Sequence, residues 1–509
     1  MSLAGAELRE SFSTLIEPET LSLLTTVNNL LAEQDIESYI VGGLVRDVLL
    51  GRDTADIDIA VGSDALEVAP KVATALGGKY VLLDKINRVG RVLLADKGDP
   101  ITRKQWELDF STFKGSIEQD LARRDFTINA MAIDLGQVRE GFSDIQVIDP
   151  SHGQHDLRQG VIRAVSETAF ESDGARLLRA VRLAAELGFN IDGKTESLIR
   201  RYSYLIASVP GERVRDELLR LLTISGAEQL LSYIDKLGLL TAVFPELAET
   251  KGVEQPKEHF WNVFEHSLKA VITVDFLLRQ GGWEYAGDEV LAAVPWSTVL
   301  VQHFNQEVSY GSTRRSLLKL AALLHDVAKP QTKAIEAVGR MRFLGHARDG
   351  AVIAANMLER LRFSAKEIKL VEALVTHHLR PVQMSQNELP TRRAIYRYFR
   401  DTAEASIDIL FLSLADHLAT RGPHLNLSNW QEHTQMVEYV LSQRFQEESV
   451  VYPPKLVDGN DLINIFGMSQ GPGIGEVLEA VREAHASGEI TTREAALAYI
   501  RDSLLSKAD

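Results

Sequence analysis

Two carboxylates, Asp56 and Asp58, stand in the run Asp56-Ile57-Asp58-Ile59-Ala60-Val61. Strict alternation of polar and apolar residues marks a half-buried strand, and successive strand side chains leave opposite faces. Both acids therefore share one face and both isoleucines the other. Adjacent carboxylates repel each other unless a cation lies between them. The Mg²⁺ ions of phosphoryl or nucleotidyl transfer supply that cation and accept hard oxygen ligands. Asp109, on a later predicted strand (Trp106 to Phe110), is open between a third ligand and a surface carboxylate.

Upstream, the apolar strand Tyr39 to Val41 meets Gly42-Gly43, and a helix opens over Val45 to Leu50. Glycines let backbone N–H groups close on an anion, the start of a helix favours negative charge, and Arg46 adds a forked cation for phosphate oxygens. A lone GG is usually a turn and a lone D-x-D a solvated strand edge. The order strand, turn, helix, strand within Tyr39 to Val61 favours catalysis instead. Around this stretch the pattern predicts a helix over Leu8 to Gln34, another over Asp64 to Leu76 ending at Gly77-Gly78, and strands at Tyr80 to Leu83 and Arg91 to Ala95. Polar loops fall at Lys85 to Gly90 and Lys97 to Lys104. Arg123-Arg124-Asp125 ends a short helix, where it could clamp a triphosphate and a ribose hydroxyl with help from Asn129, or form a surface salt bridge. Asp149 to Val165 reads as a connector, with His152 and His155 exposed.

Asp173 to Gly188 has helix punctuation at both ends. At 100° per residue Leu177, Val181, Ala184 and Ala185 gather on one side, while Arg176, Arg179 and Arg182 fall on the other, with Asp173 one turn from Arg176. A solvated charged face is the plain alternative, worth well under ~1 kcal/mol per ion pair.

With 509 residues the chain has room for three or four domains. It contains no cysteine, which excludes disulfides, thiol catalysis and thiolate-bound zinc. Its net charge of −16 argues against a broad basic surface, so any RNA contact must use local basic stripes. No run reaches the length of a membrane span, and the opening MSLAGAELRESF lacks a leader pattern, so the expectation is a cytoplasmic protein without membrane contact.

The segments VGGLVRDVLLG, DIDI, DLARRDFTINAMAID, VIDPSHGQHDLRQGVIRAV, DGARLLRAVRLAAELGF and VRDELLRLL follow one another over roughly residues 39 to 222. In that order they resemble the bacterial tRNA nucleotidyltransferase and poly(A) polymerase family, the CCA-adding enzymes of the eubacterial and eukaryotic class. The resemblance implies an α+β protein: a small mixed-sheet nucleotidyltransferase head (1–148), an all-α neck and body (149–250) that reads the base and holds the tRNA acceptor arm, and further helical parts. It implies Mg²⁺ on Asp56 and Asp58, and nucleotide contacts at Gly43, Arg46 and Arg124. It also implies that Asp173 and Arg176 pair with the edge of CTP or ATP while Arg179 and Arg182 approach phosphates or base. One departure stands out: the family usually begins this motif Glu-Asp, and this chain has Ser172-Asp173, with Glu171 one position early. The implied reaction adds CMP and AMP to the tRNA 3′ end. A poly(A), A-only or CC-only polymerase is the alternative within the class.

A second constellation follows Pro256: His266, His325-Asp326, His346, His377-His378 and Asp416, each on or beside an apolar helix. One buried histidine is usually a core residue; this spread resembles the HD metal-dependent phosphohydrolase superfamily. That implies an all-α HD domain (256–425) with ligands His266, His325, Asp326, His346, His377 and Asp416. Imidazole with carboxylate suits Mn²⁺, Ni²⁺ or a similar transition metal. A phosphohydrolase is thus the alternative of another class, and a structural HD fold the plain one. Gly281 to Gly311 reads as a surface insertion and 426–509 as a helical tail.

Overall fold

The computed structural model describes residues 16–52, 56–95, 105–138, 145–384, 389–446 and 454–505. The expected loop Lys97 to Lys104 and the first residues of the expected helix Leu8 to Gln34 lie outside them. The chain divides into two compact units, Met1–Val209 with Leu237–Leu239, and Pro210–Lys236 with Leu240–Asp509.

The first unit is built on a seven-stranded mixed sheet. Its strands are β1 (Ser38–Val41), β2 (Asp56–Val61), β3 (Lys79–Asp84), β4 (Val89–Ala95), β5 (Gln105–Thr112), β6 (Ala132–Asp134) and β7 (Val147–Ile148), arranged β3-β4-β5-β2-β1-β6-β7. β2 runs antiparallel to β1 and parallel to β5, with Asp56 opposite Glu107 and Asp58 opposite Asp109. One face carries Ile57, Ile59, Leu108 and Phe110. It buries them under helix α1 (Pro18–Ala32), through Leu24, Val27 and Leu31, and helix α3 (Ala65–Leu76), through Val68 and Val72. Between β1 and β2 lies helix α2 (Gly43–Leu49). On the opposite face Val41, Ala60 and Ala132 pack with Phe113 and with Ile117 and Leu121 of helix α4 (Ile117–Leu121). Alternation thus leaves the acids of β2 on the thinly covered face.

Helix α5 (Arg176–Leu187) belongs to the same unit, so the expected boundary at 148/149 is not a break in packing. Arg176 accounts for part of this: it donates to the carbonyls of Arg123 (3.0 Å), Arg124 (3.3 Å) and Ala169 (3.1 Å). The helix starts later than the sequence suggested, because Asp173 is extended (φ −157°) at the end of a short preceding turn, Ala169–Ser172.

Among its described residues the second unit is helical apart from two short β-ribbons. Its helices include α6 (Gly211–Thr223), α7 (Val263–Leu277), α8 (Arg314–Leu324), α9 (His346–Arg360), α10 (Ala365–His377), α11 (Arg392–Thr402), α12 (Ser406–Arg421) and α13 (Pro472–Ala486). Lys319 of α8 is fully buried, paired with Asp275 of α7, and donates to the carbonyls of Leu222 (2.7 Å) and Ile224 (3.3 Å) at the end of α6. The stretch Gly281 to Gly311, expected to be a surface insertion, instead buries Trp283, Val290, Val294, Leu300 and Phe304. Phe304 packs edge-on against Phe411 of α12, and Trp430 donates its indole N–H to the Val290 carbonyl. Its glycines and polar residues disguise an apolar set, of which Val290, Leu300 and Phe304 lie on two short helices and Trp283 and Val294 in the connections.

Past residue 454 a small core forms from Val457, Leu462, Val481, Ala484, Ile490, Ala496 and Ile500. Between α11 and α13 runs a comb of charge: Arg393 to Glu483 (3.1 Å), Arg397 to the same Glu483, and Arg400 to Glu479 (2.9 Å), with the Tyr396 hydroxyl also on Glu479 (3.0 Å).

Candidate metal centres and nucleotide site

Gly42 is what allows the head site to close. Its φ is +73°, and a Cβ there would lie 2.8 Å from Asp58 Oδ2 and 3.1 Å from Arg124 Nη1. Carboxylate, guanidinium and bare backbone therefore meet at one point. Asp56 is exposed, whereas Asp58 is partly covered and accepts a hydrogen bond from the Gly43 N–H. Burial pushes the Asp58 carboxyl up to about 6; Arg124 opposes this, while Asp109 and Asp56 add to it. A hard-oxygen pair destabilised in this way is a donor set that a divalent cation relieves.

Asp109 lies beside Asp58 in register, but Arg91 grips both its oxygens (2.7 and 2.8 Å) and also Glu107. Its expected role as a third ligand competes with this pairing. Arg46, expected to fork onto phosphates, has its fork turned on Asp47 (2.8 Å to each oxygen) and its remaining nitrogen on Asn129 Oδ1 (2.8 Å). From there bonds continue: Asn129 Nδ2 to Asp125 (3.2 Å), and Arg179 Nη1 to Asp125 (3.4 Å). Asp125, read from sequence as a ribose contact, is buried and joins α2 to α5.

Of the other expected base readers, Asp173 receives the Ala175 N–H (3.1 Å) and stands 4.0 Å from Arg176 Nε. Arg182 departs from the expected polar face. It is buried and paired with Glu186 (2.6 Å), since α5 is enclosed on nearly every side.

In the helical unit, His266 Nε2 lies 3.2 Å from His325 Nε2, 3.4 Å from Asp326 and 3.1 Å from Asp416. His346 Nε2 is 3.5 Å from Asp326. Among the described residues two triplets bring their ligand atoms within 4.8 Å of one another: His266, His325, Asp416 and His325, Asp326, His378. The expected ligand His377 is not among them. It is partly exposed, and its neighbour His378, fully buried, stands beside His325 and His346 with ring centroids 5.1 and 5.3 Å away. One residue step at the end of α10 turns the side chain about 100°, and only the later one faces inward.

Three of these imidazoles are held in one tautomer. His325, His346 and His378 each donate Nδ1–H to a carbonyl one turn back: Ala322 (2.8 Å), Phe343 (2.6 Å) and Val375 (2.7 Å). His346 and His378 therefore present Nε2 as a lone pair, the arrangement that metal-binding histidines use, and His325 would do so once it gives up the proton it shares with Asp326 and Asp416. Buried His346 Nε2 makes no hydrogen bond, so the donors suit a transition metal. Burial works against charge here, yet Asp326 and Asp416 lift His325 to about 10, and His325 with Lys329 (2.6 Å from Asp326) holds Asp326 well below the carboxylate range. Sequence reasoning missed two neighbours. Lys329 reaches Asp326 from one turn on, and His259 packs edge-on against His266 (5.5 Å) with burial, aided by Lys329, pushing its pKa down to about 3. The first was legible as an i, i+3 pair; the second sits in a loop without periodicity.

Comparison with known proteins follows the same division. Residues 38–163 match the poly(A) polymerase head domain, 188–251 the probable RNA and SrmB-binding site of polymerase A, 263–421 the HD domain, and 347–500 a putative second domain of tRNA nucleotidyltransferases. An A-adding tRNA nucleotidyltransferase of Deinococcus radiodurans is 34% identical over 91% of this chain and 94% of its own. A CC-adding tRNA nucleotidyltransferase of Thermus thermophilus is 32% identical over 91% and 93%. The fold is similar to that of the Thermotoga maritima CCA-adding enzyme solved with tRNA, at 23% identity and TM-score 0.59 over 97% of this chain and 98% of that one. No helix among the described residues is long and apolar enough to cross a membrane. The mixed sheet bearing paired acids, the helical remainder and alignment over nine-tenths of two relatives place this chain in the tRNA nucleotidyltransferase family.

Proposed function

We propose that the chain acts in the cytoplasm as a template-independent tRNA nucleotidyltransferase, building the CCA end on the tRNA acceptor arm from CTP and ATP. The observation that carries this is the convergence of Asp58, Arg124 and the side-chain-free Gly42, beside Asp56, on the open face of the sheet. Asp56 and Asp58 would hold Mg²⁺, which when bound supplies charge neutralisation and Lewis acidity at the phosphates. Arg124 and the backbone at Gly42-Gly43 orient the triphosphate. The tRNA 3′-hydroxyl attacks the α-phosphate, its proton is lost, and pyrophosphate leaves. Asp173 accepts from, and Arg176 donates to, the edge of the incoming base, once Arg176 is drawn from its carbonyl partners. Arg179, tied to Asp125, and Arg182, behind it, support that edge.

The test is incubation of tRNA lacking its 3′ end with each labelled nucleotide. Two C and one A mark the whole reaction. Because relatives aligned over nine-tenths of the chain are A-adding and CC-adding, addition of A alone or CC alone is the second reading. Asp173→Ala should lower discrimination among nucleotides about tenfold or more, the worth of one bidentate base contact. Retained selectivity removes the base-reading role.

The second centre supports a metal-dependent phosphoester hydrolase, with His266, His325, Asp326, His346, His378 and Asp416 holding Mn²⁺, Ni²⁺ or a similar ion that would activate water. The locked tautomers favour this over a structural remnant.

A further inference from the structure

A run of aromatic rings begins one residue after His259. Phe260 is 48% exposed and packs edge-on against Trp261 (5.0 Å) and His424 (5.3 Å). Trp261 meets Trp283 (6.1 Å) and Tyr285 (5.9 Å), and Lys269 Nζ lies 5.8 Å from its ring centre. Two bonds tie this group to the metal cluster. Thr420 Oγ1 donates to Asp416 (3.3 Å), and the Thr420 carbonyl accepts the Phe260 N–H (3.0 Å). Thr420, to which the Phe260 backbone is bonded, stands one helical turn along α12 from Asp416, a candidate ligand. Gly422 makes room for the indole: its φ is +49°, and a Cβ there would lie 2.3 Å from the Trp261 ring.

We propose that Phe260 and Trp261 form a stacking platform for an unpaired nucleobase whose phosphate lies at the His/Asp cluster. The inference rests on the reading of that cluster as a phosphoester site. A half-exposed ring braced by a second aromatic ring offers what a base needs, a rigid apolar surface, and Lys269, 3.6 Å from Glu284, lies beside the Trp261 ring. Lys329, 2.6 Å from Asp326, adds positive charge at the cluster for the phosphate. Every base has such a face, so the platform accepts any of them, and a ligand without a base gains nothing from it.

The experiment is calorimetric titration of the full-length Mn²⁺-treated protein with adenosine 3′-monophosphate and, separately, with ribose 5-phosphate. The nucleotide should bind about tenfold more tightly than the sugar phosphate, a typical return for one stacked base. Phe260→Ala should erase that advantage and Phe260→Tyr keep it, with circular dichroism and melting temperature showing that both variants fold. Asp326→Asn should weaken both ligands. Equal binding of the two ligands, or an advantage that survives Phe260→Ala, overturns the platform while the phosphoester site stands. Indifference of both ligands to Asp326→Asn overturns that reading of the cluster, and the platform with it.

Discussion

Asp56 and Asp58 stand on a sheet face with Arg124 beside Asp58 and Arg91 held on neighbouring Asp109, whereas Asp326 and Asp416 are set among four imidazoles and a lysine. In the first, burial with neighbouring acids pushes Asp58 up to about 6 against the opposing pull of Arg124. In the second, Asp326 is held well below the carboxylate range and His325 is lifted to about 10. There, three imidazoles are already fixed in orientation by their carbonyl partners, and Lys329 and His325 both face Asp326.

The contrast breaks most visibly under substitution. Asp58→Asn should lower nucleotide incorporation by at least ~100-fold, the scale on which a lost electrostatic stabiliser of the transition state acts, and leave the metal-free protein as stable as before or more so. Asp326→Ala should do the reverse. Incorporation persists, and unfolding in denaturant shows the metal-free protein weakened by about 3 kcal/mol, because a buried lysine and histidine lose their counter-charge. If both variants destabilise alike, the two centres do not differ in the way described.

A smaller effect sharpens the same point through pH. The folded-state pKa of Asp58 exceeds its ordinary value near 3.8, so the folded protein binds this proton more tightly than the unfolded chain does. Its contribution to stability is then largest below pH 4, falls as pH rises towards about 6, and levels above that. Saturating Mg²⁺ should cancel the decline. Melting temperatures of the metal-free and Mg²⁺-loaded protein between pH 4 and 7 measure the difference, and parallel curves contradict it.

The head was legible because its signals are local. The alternation of Asp56 to Val61 placed the acids and isoleucines on opposite faces, and the paired glycines marked the turn before α2. What escaped depends on partners distant in sequence, or on crowding. Arg91 reaches Asp109 from the neighbouring strand, and Asn129 captures Arg46 from 83 residues away. Arg182 has the period of a polar face but lies under surrounding helices. His377 and His378 are alike in type, and only the rotation at the end of α10 separates them.

The comb between α11 and α13 joins a tail with its own apolar core to the rest of the helical unit through ion pairs whose arginines are 38 to 49% exposed. Such pairs are worth little singly and fade as salt shortens the screening length from ~8 Å at physiological ionic strength to ~3 Å at 1 M. Concentrated salt therefore loosens the tail's grip before it disturbs either apolar interior, so resistance to proteolysis near residue 454 should depend on ionic strength while the cores stay shut.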